Sequence, residues 1–489
     1  MTRRIGMIRN RRHSTMATIA SARSTAHDQT NAAAGADGDN RPADATTTPV
    51  SESVQAARDY ADGALRTAAD VPEIRQTTAR TLTHTGIIGG GTMGAGIAVA
   101  MLDAGLRVVM VEQDEAALAR GRARVEAVYD RLIVRDRMTL AEKKDRMSHF
   151  NGATAYAALS DADLIVEAVF EDLSVKAEVF KQIDRFAKPG AILATNTSYL
   201  DIDRIAQATG RPGDVLGLHF FSPANIMKLL EVVVAAQTSP TAVATGFALA
   251  KRLRKTPVRA GVCDGFIGNR ILAAYRHAAD LMMEDGASPY DIDDAVRAFG
   301  YPMGPYQVVD LAGGDIGWAT RKRRAATRDP QARYVEIADR LCEQGWFGQK
   351  TGRGFYRYVE GARTGTPDPE VLAIVDAERQ RAGVVPKPFT AEEIMRRYMA
   401  AMINEAANVL HERIALRPSD VDAVFLAGYG FPRDRGGPLF YADTVGVQQV
   451  LADIESFADE DPRFWRASPL LLALAQRDAT FASLNTPSR

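Results

Sequence analysis

The sequence predicts an α/β fold class: a doubly wound, mostly parallel sheet over residues 85–260, followed by a duplicated all-α region. Three observations predict it. A glycine-rich turn, Gly89-Gly90-Gly91-Thr92-Met93-Gly94, joins a short apolar run to a helical one. Short apolar runs then alternate with helical periodicity, the pattern of strand–helix–strand units. Beyond residue 260 one helical pattern occurs twice, which points to duplication of a single unit.

Bulk properties narrow the possibilities before any motif is weighed. With 489 residues, 46% of them hydrophobic and 25% charged, the chain has material for two or three packed domains. A formal net charge of -1 gives no general attraction for nucleic acid or a membrane surface, and neither is expected as a partner. Cys263 and Cys342 are too few and too far apart for a disulfide framework or a cysteine-based metal site, so no metal is expected. No apolar run approaches the roughly 18 residues of a spanning helix, and the two free cysteines suit a reducing, cytoplasmic location.

The first 27 residues carry Arg3, Arg4, Arg9, Arg11, Arg12 and Arg23 and no acid before Asp28, a bias shared with organellar transit peptides. A basic unstructured tail, or an early start codon with Met7 and Met16 following it, is the expectation favoured here. Residues 28–53 have almost no large apolar side chains to offset the entropy of ordering, so 1–53 is assigned as a disordered tail. Residues 54–84 follow as a short amphipathic helix, Val54 to Ala69, and a polar linker.

Thr85-Gly86-Ile87-Ile88 reads as a buried strand, the glycine run as a tight turn, and Ala95 to Ala104 as a helix ending at Gly105. A dinucleotide requires this arrangement: Gly89 permits the turn, Gly91 lets the backbone approach a pyrophosphate, and Gly94 lets helix and strand pack closely. Arg107 to Val111 supplies a second strand ending in Glu112, twenty-one residues beyond Gly91, where a ribose-binding acid belongs. A carboxylate there repels a 2′-phosphate, and Gln113-Asp114 brings no arginine to reverse that. The expected cofactor is therefore NAD in a Rossmann-type domain, with Gly89, Gly91, Thr92, Met93, Gly94 and Glu112 in its site.

Asp163 to Ala168 and Ala191 to Thr195 read as further buried strands, separated by a helix from Val175 to Phe186. Ligands of such sheets lie beyond the carboxyl ends of the strands, which singles out Glu171, Lys176, Asn196 and Ser198. For Glu171 and Lys176 an exposed ion pair at a helix start and a ligand role are equally compatible with the sequence.

Of seven histidines, His13 and His27 lie in the tail, His84 precedes the first strand, and His149, His277 and His411 lie in or beside helical, polar stretches. His219 stands apart, near the carboxyl end of the strand Val215-Leu216-Gly217-Leu218. Twelve residues later Glu231 interrupts Leu229-Leu230-Glu231-Val232-Val233-Val234. A carboxylate among β-branched side chains is costly unless paired, and His219 is the economical partner. Such a pair accepts a hydroxyl proton and stabilises the resulting imidazolium, the requirement for hydride abstraction from a secondary alcohol. A buried structural histidine with a satisfied partner is the alternative.

Gly89 to Gly94, Asn196-Thr197-Ser198, His219-Phe220-Phe221-Ser222-Pro223, Gly265-Phe266-Ile267-Gly268-Asn269-Arg270, Tyr301-Pro302-Met303-Gly304-Pro305 and Phe347 to Tyr356 together resemble the L-3-hydroxyacyl-CoA dehydrogenases, in that family's order. The resemblance implies that His219 is the base and Glu231 its partner, that Ser198 and Asn269 bind the reacting oxygen, and that Glu112, Glu171 and Lys176 contact NAD. It implies oxidation of an L-3-hydroxyacyl-CoA to a 3-ketoacyl-CoA. A dehydrogenase of a free β-hydroxy acid, or a non-catalytic scaffold relative, are the other classes. Arg131, Arg135, Arg137, Lys143 and Lys144 form a candidate patch for the CoA phosphates, or an ordinary solvated helix face.

The first helical unit is assigned to 261–360, a linker to 361–390 and the second unit to 391–489. Asp291-Ile292-Asp293, Tyr301-Pro302 and Gly304-Pro305 are echoed by Asp420-Val421-Asp422, Phe431-Pro432 and Gly437-Pro438. Tyr398 stands where the repeat would place Asn269, so the second copy is expected to be structural. It should pack on the first, giving a monomer with an internal pseudo-dimer. The two-copy arrangement resembles the dehydrogenase half of multifunctional fatty-acid oxidation enzymes. Only about 80 residues precede the nucleotide domain, too few for a hydratase fold, so hydratase activity is expected only from a separate hydratase chain, and a thiolase is a further possible associate.

Overall fold

A computed structural model describes residues 51–359 and 364–485. The expectations for residues 1–50, tail or targeting signal, lie outside the described residues.

Eight strands form one sheet: β1 (His84–Ile88), β2 (Arg107–Val111), β3 (Phe150–Ala153), β4 (Leu164–Glu167), β5 (Ile192–Thr195), β6 (Val215–Phe220), β7 (Leu229–Val233) and β8 (Thr256–Ala260). Their spatial order is β3-β2-β1-β4-β5-β6-β7-β8. The first six run parallel, β7 is antiparallel to β6, and β8 is parallel to β7. Every residue of β4, β5, β6 and β7 is buried, which is why these strands read as unbroken apolar runs: helices cover both faces. β3 and β8 carry no unbroken apolar run in the sequence. Both lie at the sheet's edges, where Asn151 and Gly152 are exposed and Pro257 and Arg259 break the apolar pattern.

Two assignments are corrected. The tail does not extend to residue 53, because a helix runs from Glu52 to Thr67 with the Ser51 hydroxyl accepting from Val54 N–H. Its small face, Ala57, Ala61 and Ala64, is buried, and it packs on the helix Pro418–Gly428 of the second copy. The stretch 361–390 is more than a linker, for it contains the helix Pro369–Ala382, begun by the Asp368 cap and ended by Gly383 at φ 69°. Asp368 also receives Arg353 and Arg357, while Arg379 donates to the Met283 and Ala287 carbonyls. Those long-range polar contacts leave no trace in local periodicity.

The two helical copies are built alike. In the first, Asp293 on the helix Pro289–Phe299 accepts from the N–H groups of Tyr306 and Gln307 and from the Tyr356 hydroxyl. In the second, Asp422 accepts from Leu439 N–H, Phe440 N–H and the Tyr60 hydroxyl. Tyr60, on the helix Glu52–Thr67, thus serves the second copy as Tyr356 serves the first. Burial pushes both carboxyls up, Asp293 to about 6 and Asp422 to about 7. The helices Gly268–Asp285 and Ala391–His411 pack along each other, with the rings of Tyr275 and Tyr398 4.8 Å apart.

Candidate active site

The site lies at the carboxyl end of the parallel strands. Gly89, after β1, has φ 97°, and a Cβ there would approach the Ala168 carbonyl to 2.7 Å. Gly94 sits so close to the Gly89 carbonyl that a Cβ would collide with it. The helix begins at Thr92 and not at Ala95, because the backbone of Thr92, Met93 and Gly94 is already helical after Gly91. No side chain caps it, and a Cβ on Gly91 would meet open space. Glu112, just past β2, accepts from Gly90 N–H at 2.6 Å. Arg124, which the sequence reading did not select, donates to the Gly90 carbonyl at 3.0 Å. Free first-turn amides behind an open glycine cradle, with a carboxylate at the next strand end, fit a pyrophosphate and an adenosine ribose.

Beyond β4 the structure overturns one reading. Lys176 is not an exposed partner at a helix start. It is 1% exposed, with its ammonium 2.7 Å from Glu167 and 3.4 Å from Glu171. Glu171 Oε1 accepts from the Thr197 hydroxyl at 2.6 Å, Ser198 N–H at 2.9 Å and Tyr199 N–H at 3.2 Å. This carboxylate therefore shapes the Asn196–Tyr199 loop and sets Ser198 through its backbone. Glu167 was missed. It is wholly buried, and accepts from Thr195 Oγ1 and Val169 N–H at 2.7 Å each. Its signal was an acid closing the apolar run of β4, the same kind of signal that drew attention to Glu231. Asn196 Oδ1 accepts from Phe220 N–H at 2.9 Å and ties the end of β5 to the end of β6.

The antiparallel pairing of β6 and β7 sets His219 directly opposite Glu231. His219 Nδ1 lies 2.6 Å from Glu231 Oε2, with both side chains buried. The other carboxylate oxygen accepts from Ile267 N–H at 3.2 Å and Gly268 N–H at 3.0 Å, at the start of the helix Gly268–Asp285. Helix N-termini favour anions, so a buried carboxylate is well placed there. Phe221 and Phe266 flank the imidazole, with ring centroids at 4.3 and 5.6 Å. Asn269 is the next residue of that helix, and its Oδ1 accepts from the Tyr429 hydroxyl at 2.9 Å. Tyr429 belongs to the second copy and carries no local motif. His277, read as lying in polar surroundings, packs edge-on against Phe464, and burial pushes its pKa down. In the candidate phosphate patch, Lys143 is paired with Asp130 at 2.5 Å.

Comparisons with known proteins place this geometry among relatives. The family model "3-hydroxyacyl-CoA dehydrogenase, NAD binding domain" matches residues 84–263. The model "3-hydroxyacyl-CoA dehydrogenase, C-terminal domain" matches twice, at 265–358 and 394–480, as expected for two copies of one unit. The chain is 40% identical over 412 residues to the peroxisomal bifunctional enzyme of Danio rerio, covering 81% of this chain and 57% of that protein. It is 38% identical over 413 residues to the Homo sapiens enzyme of the same name, covering 81% and 56%. It spans a little over half the length of these relatives. Among solved structures, 3-hydroxybutyryl-CoA dehydrogenase from Escherichia coli is similar at TM-score 0.69 and 26% identity, covering 81% of this chain and 99% of that one. The dehydrogenase part of multifunctional enzyme 1 from C. elegans is similar at TM-score 0.62 and 25% identity, covering 85% and 98%.

Proposed function

The chain belongs to the 3-hydroxyacyl-CoA dehydrogenase family and carries its NAD-binding domain, and from that premise we propose that it oxidises the 3-hydroxyl of L-3-hydroxyacyl-CoA thioesters to 3-ketoacyl-CoA. One observation carries the reading: a buried imidazole facing a carboxylate that is itself held by two backbone amides. In this arrangement Glu231 keeps the proton on His219 Nδ1 and leaves Nε2 free to accept. The substrate hydroxyl gives its proton to Nε2 as the C3–O bond becomes a carbonyl, and Glu231 stabilises the imidazolium. Ser198 and Asn269 hold the reacting oxygen. NAD, when bound, accepts the hydride leaving C3. Gly89, Gly91, Thr92, Met93 and Gly94 cradle its pyrophosphate, and Glu112 takes the adenosine ribose. Glu171, Lys176 and Asn196 set the loops on the nicotinamide side.

The same reading includes a monomer, its second copy covering the face the first would otherwise offer another subunit, and association with a separate hydratase or thiolase. Among the described residues no helix is long and apolar enough to cross a membrane. The cytoplasmic expectation finds no support in the two bifunctional relatives above, whose names are peroxisomal.

The test follows NADH absorbance with L-3-hydroxybutyryl-CoA and with free 3-hydroxybutyrate. Turnover of the thioester is expected. Turnover of the free acid alone, or of neither, overturns the reading in favour of another β-hydroxy acid or a non-catalytic role. His219→Ala should slow the hydride step about 10²- to 10⁴-fold, roughly 3 to 5 kcal/mol, with NAD affinity retained. A loss below tenfold removes His219 as the base.

A further inference from the structure

We propose that Tyr429, from the second helical copy, is a positioning residue: its hydroxyl holds the Asn269 carboxamide with the amide hydrogens turned toward the reacting oxygen of the substrate. The proposal rests on the dehydrogenase reading above and gives the second copy a part in the chemistry.

The geometry is that of a fixed donor. Tyr429 ends the helix Pro418–Gly428, and its hydroxyl is 2.9 Å from Asn269 Oδ1. Its ring stacks on Phe425 at 4.9 Å and meets Phe221, two residues after His219, edge-on at 5.7 Å. Gly268 leaves room for it, since a Cβ there would collide with the ring. The short turn Ile267–Asn269 is therefore gripped from both sides, by Glu231 through the Ile267 and Gly268 amides and by Tyr429 through the Asn269 side chain. Burial and the nearby Glu231 charge push the phenol well above its ordinary range, so it stays protonated and donates.

A carboxamide has one accepting and one donating end, and only the donating end stabilises an oxygen that gathers negative charge in the transition state. With Oδ1 engaged by Tyr429, Nδ2 is the end left for substrate. Without the hydroxyl Oδ1 loses its donor, and the orientation that sets oxygen against oxygen is no longer held off. The repeat supports the assignment. Phe299 precedes Gly300-Tyr301-Pro302 in the first copy, and Tyr429 precedes Gly430-Phe431-Pro432 in the second. The hydroxyl is present only in the copy that faces Asn269.

The test uses the full chain with Tyr429→Phe, Asn269→Ala and the double variant, assayed with L-3-hydroxybutyryl-CoA at saturating NAD. Tyr429→Phe keeps every ring contact. Its kcat should fall about tenfold, with KM, NAD affinity and melting temperature essentially unchanged and a larger primary isotope effect for substrate deuterated at C3. In the Asn269→Ala background the same substitution should change kcat by less than about twofold, because the hydroxyl acts only through Asn269. An unchanged kcat in Tyr429→Phe overturns the proposal. So does an equal loss in both backgrounds, or an insoluble or markedly destabilised Phe variant, since each makes the hydroxyl irrelevant or merely structural. Wild-type turnover lost in His219→Ala but intact in Tyr429→Phe sinks this proposal alone, whereas no wild-type turnover of the thioester sinks the dehydrogenase reading.

Discussion

Replacing Glu231 by Gln changes the site by one atom's chemistry and little of its volume. Glu231 is fully buried and accepts three hydrogen bonds, from His219 Nδ1 at 2.6 Å and from the Ile267 and Gly268 amides. The Gln oxygen can keep both amides, but its NH2 then faces Nδ1 as a donor. The imidazole must move its proton to Nε2 to satisfy that contact, and Nε2 is the atom required to accept from substrate. Returning to the working tautomer forfeits the contact, and the imidazolium formed later lacks its counter-charge, a charge-assisted bond of about 1.5 to 3 kcal/mol. Together these place the loss at about 3 to 5 kcal/mol, or about 10²- to 10⁴-fold in the hydride step. The assay is single-turnover NADH formation with NAD affinity measured in parallel. That affinity should not move, because Glu231 bonds none of Gly89–Gly94 or Glu112. A loss below tenfold, or a matching loss of NAD binding, would refute the reasoning.

Three further outcomes are expected. Glu112→Ala should raise the NADP-to-NAD ratio of kcat/KM at least about tenfold by removing the charge that repels a 2′-phosphate, and an unchanged ratio removes Glu112 as the discriminator. Asp422, pushed from 3.8 to about 7, makes the folded chain bind more protons than the unfolded chain between those values. Its contribution therefore falls as pH rises through that window, by up to about 4 kcal/mol. Relative to wild type, Asp422→Asn should gain stability between pH about 4.5 and about 7.5 in urea titrations; a constant difference would show that the carboxyl is not protonated in the fold. Light scattering should report a monomer, and an obligate dimer formed through the first copy would refute the internal pseudo-dimer.

Much of the site was legible because its signals are local. The glycine turn, the acid after β2 and the two polar residues interrupting β6 and β7 are each defined within a strand and its flanks, where periodicity and desolvation cost constrain the residue types. Even the pairing of His219 with Glu231 followed from one unaffordable buried carboxylate and one nearby partner. The repeat of helical units was likewise visible as a matched order of Asp, Pro and Gly positions.

Contacts between distant segments decided the rest. Lys176 looks like a surface lysine until Glu167 and Glu171 close around it. Glu171 reads as a helix-start acid until the 196–199 loop folds onto it. The helix Pro369–Ala382 and the helix Glu52–Thr67 gain their places from Arg379 on first-copy carbonyls and from Tyr60 on Asp422. Tyr429 lies 160 positions from Asn269 along the chain. A propensity or a spacing cannot encode such pairs, because their free energy exists only once loop closure and burial have brought both groups out of water together. The sequence by itself determined which residue types stand at the strand ends; loop closure within the nucleotide domain and the packing of the helical copies decided which neighbours hold those groups in place.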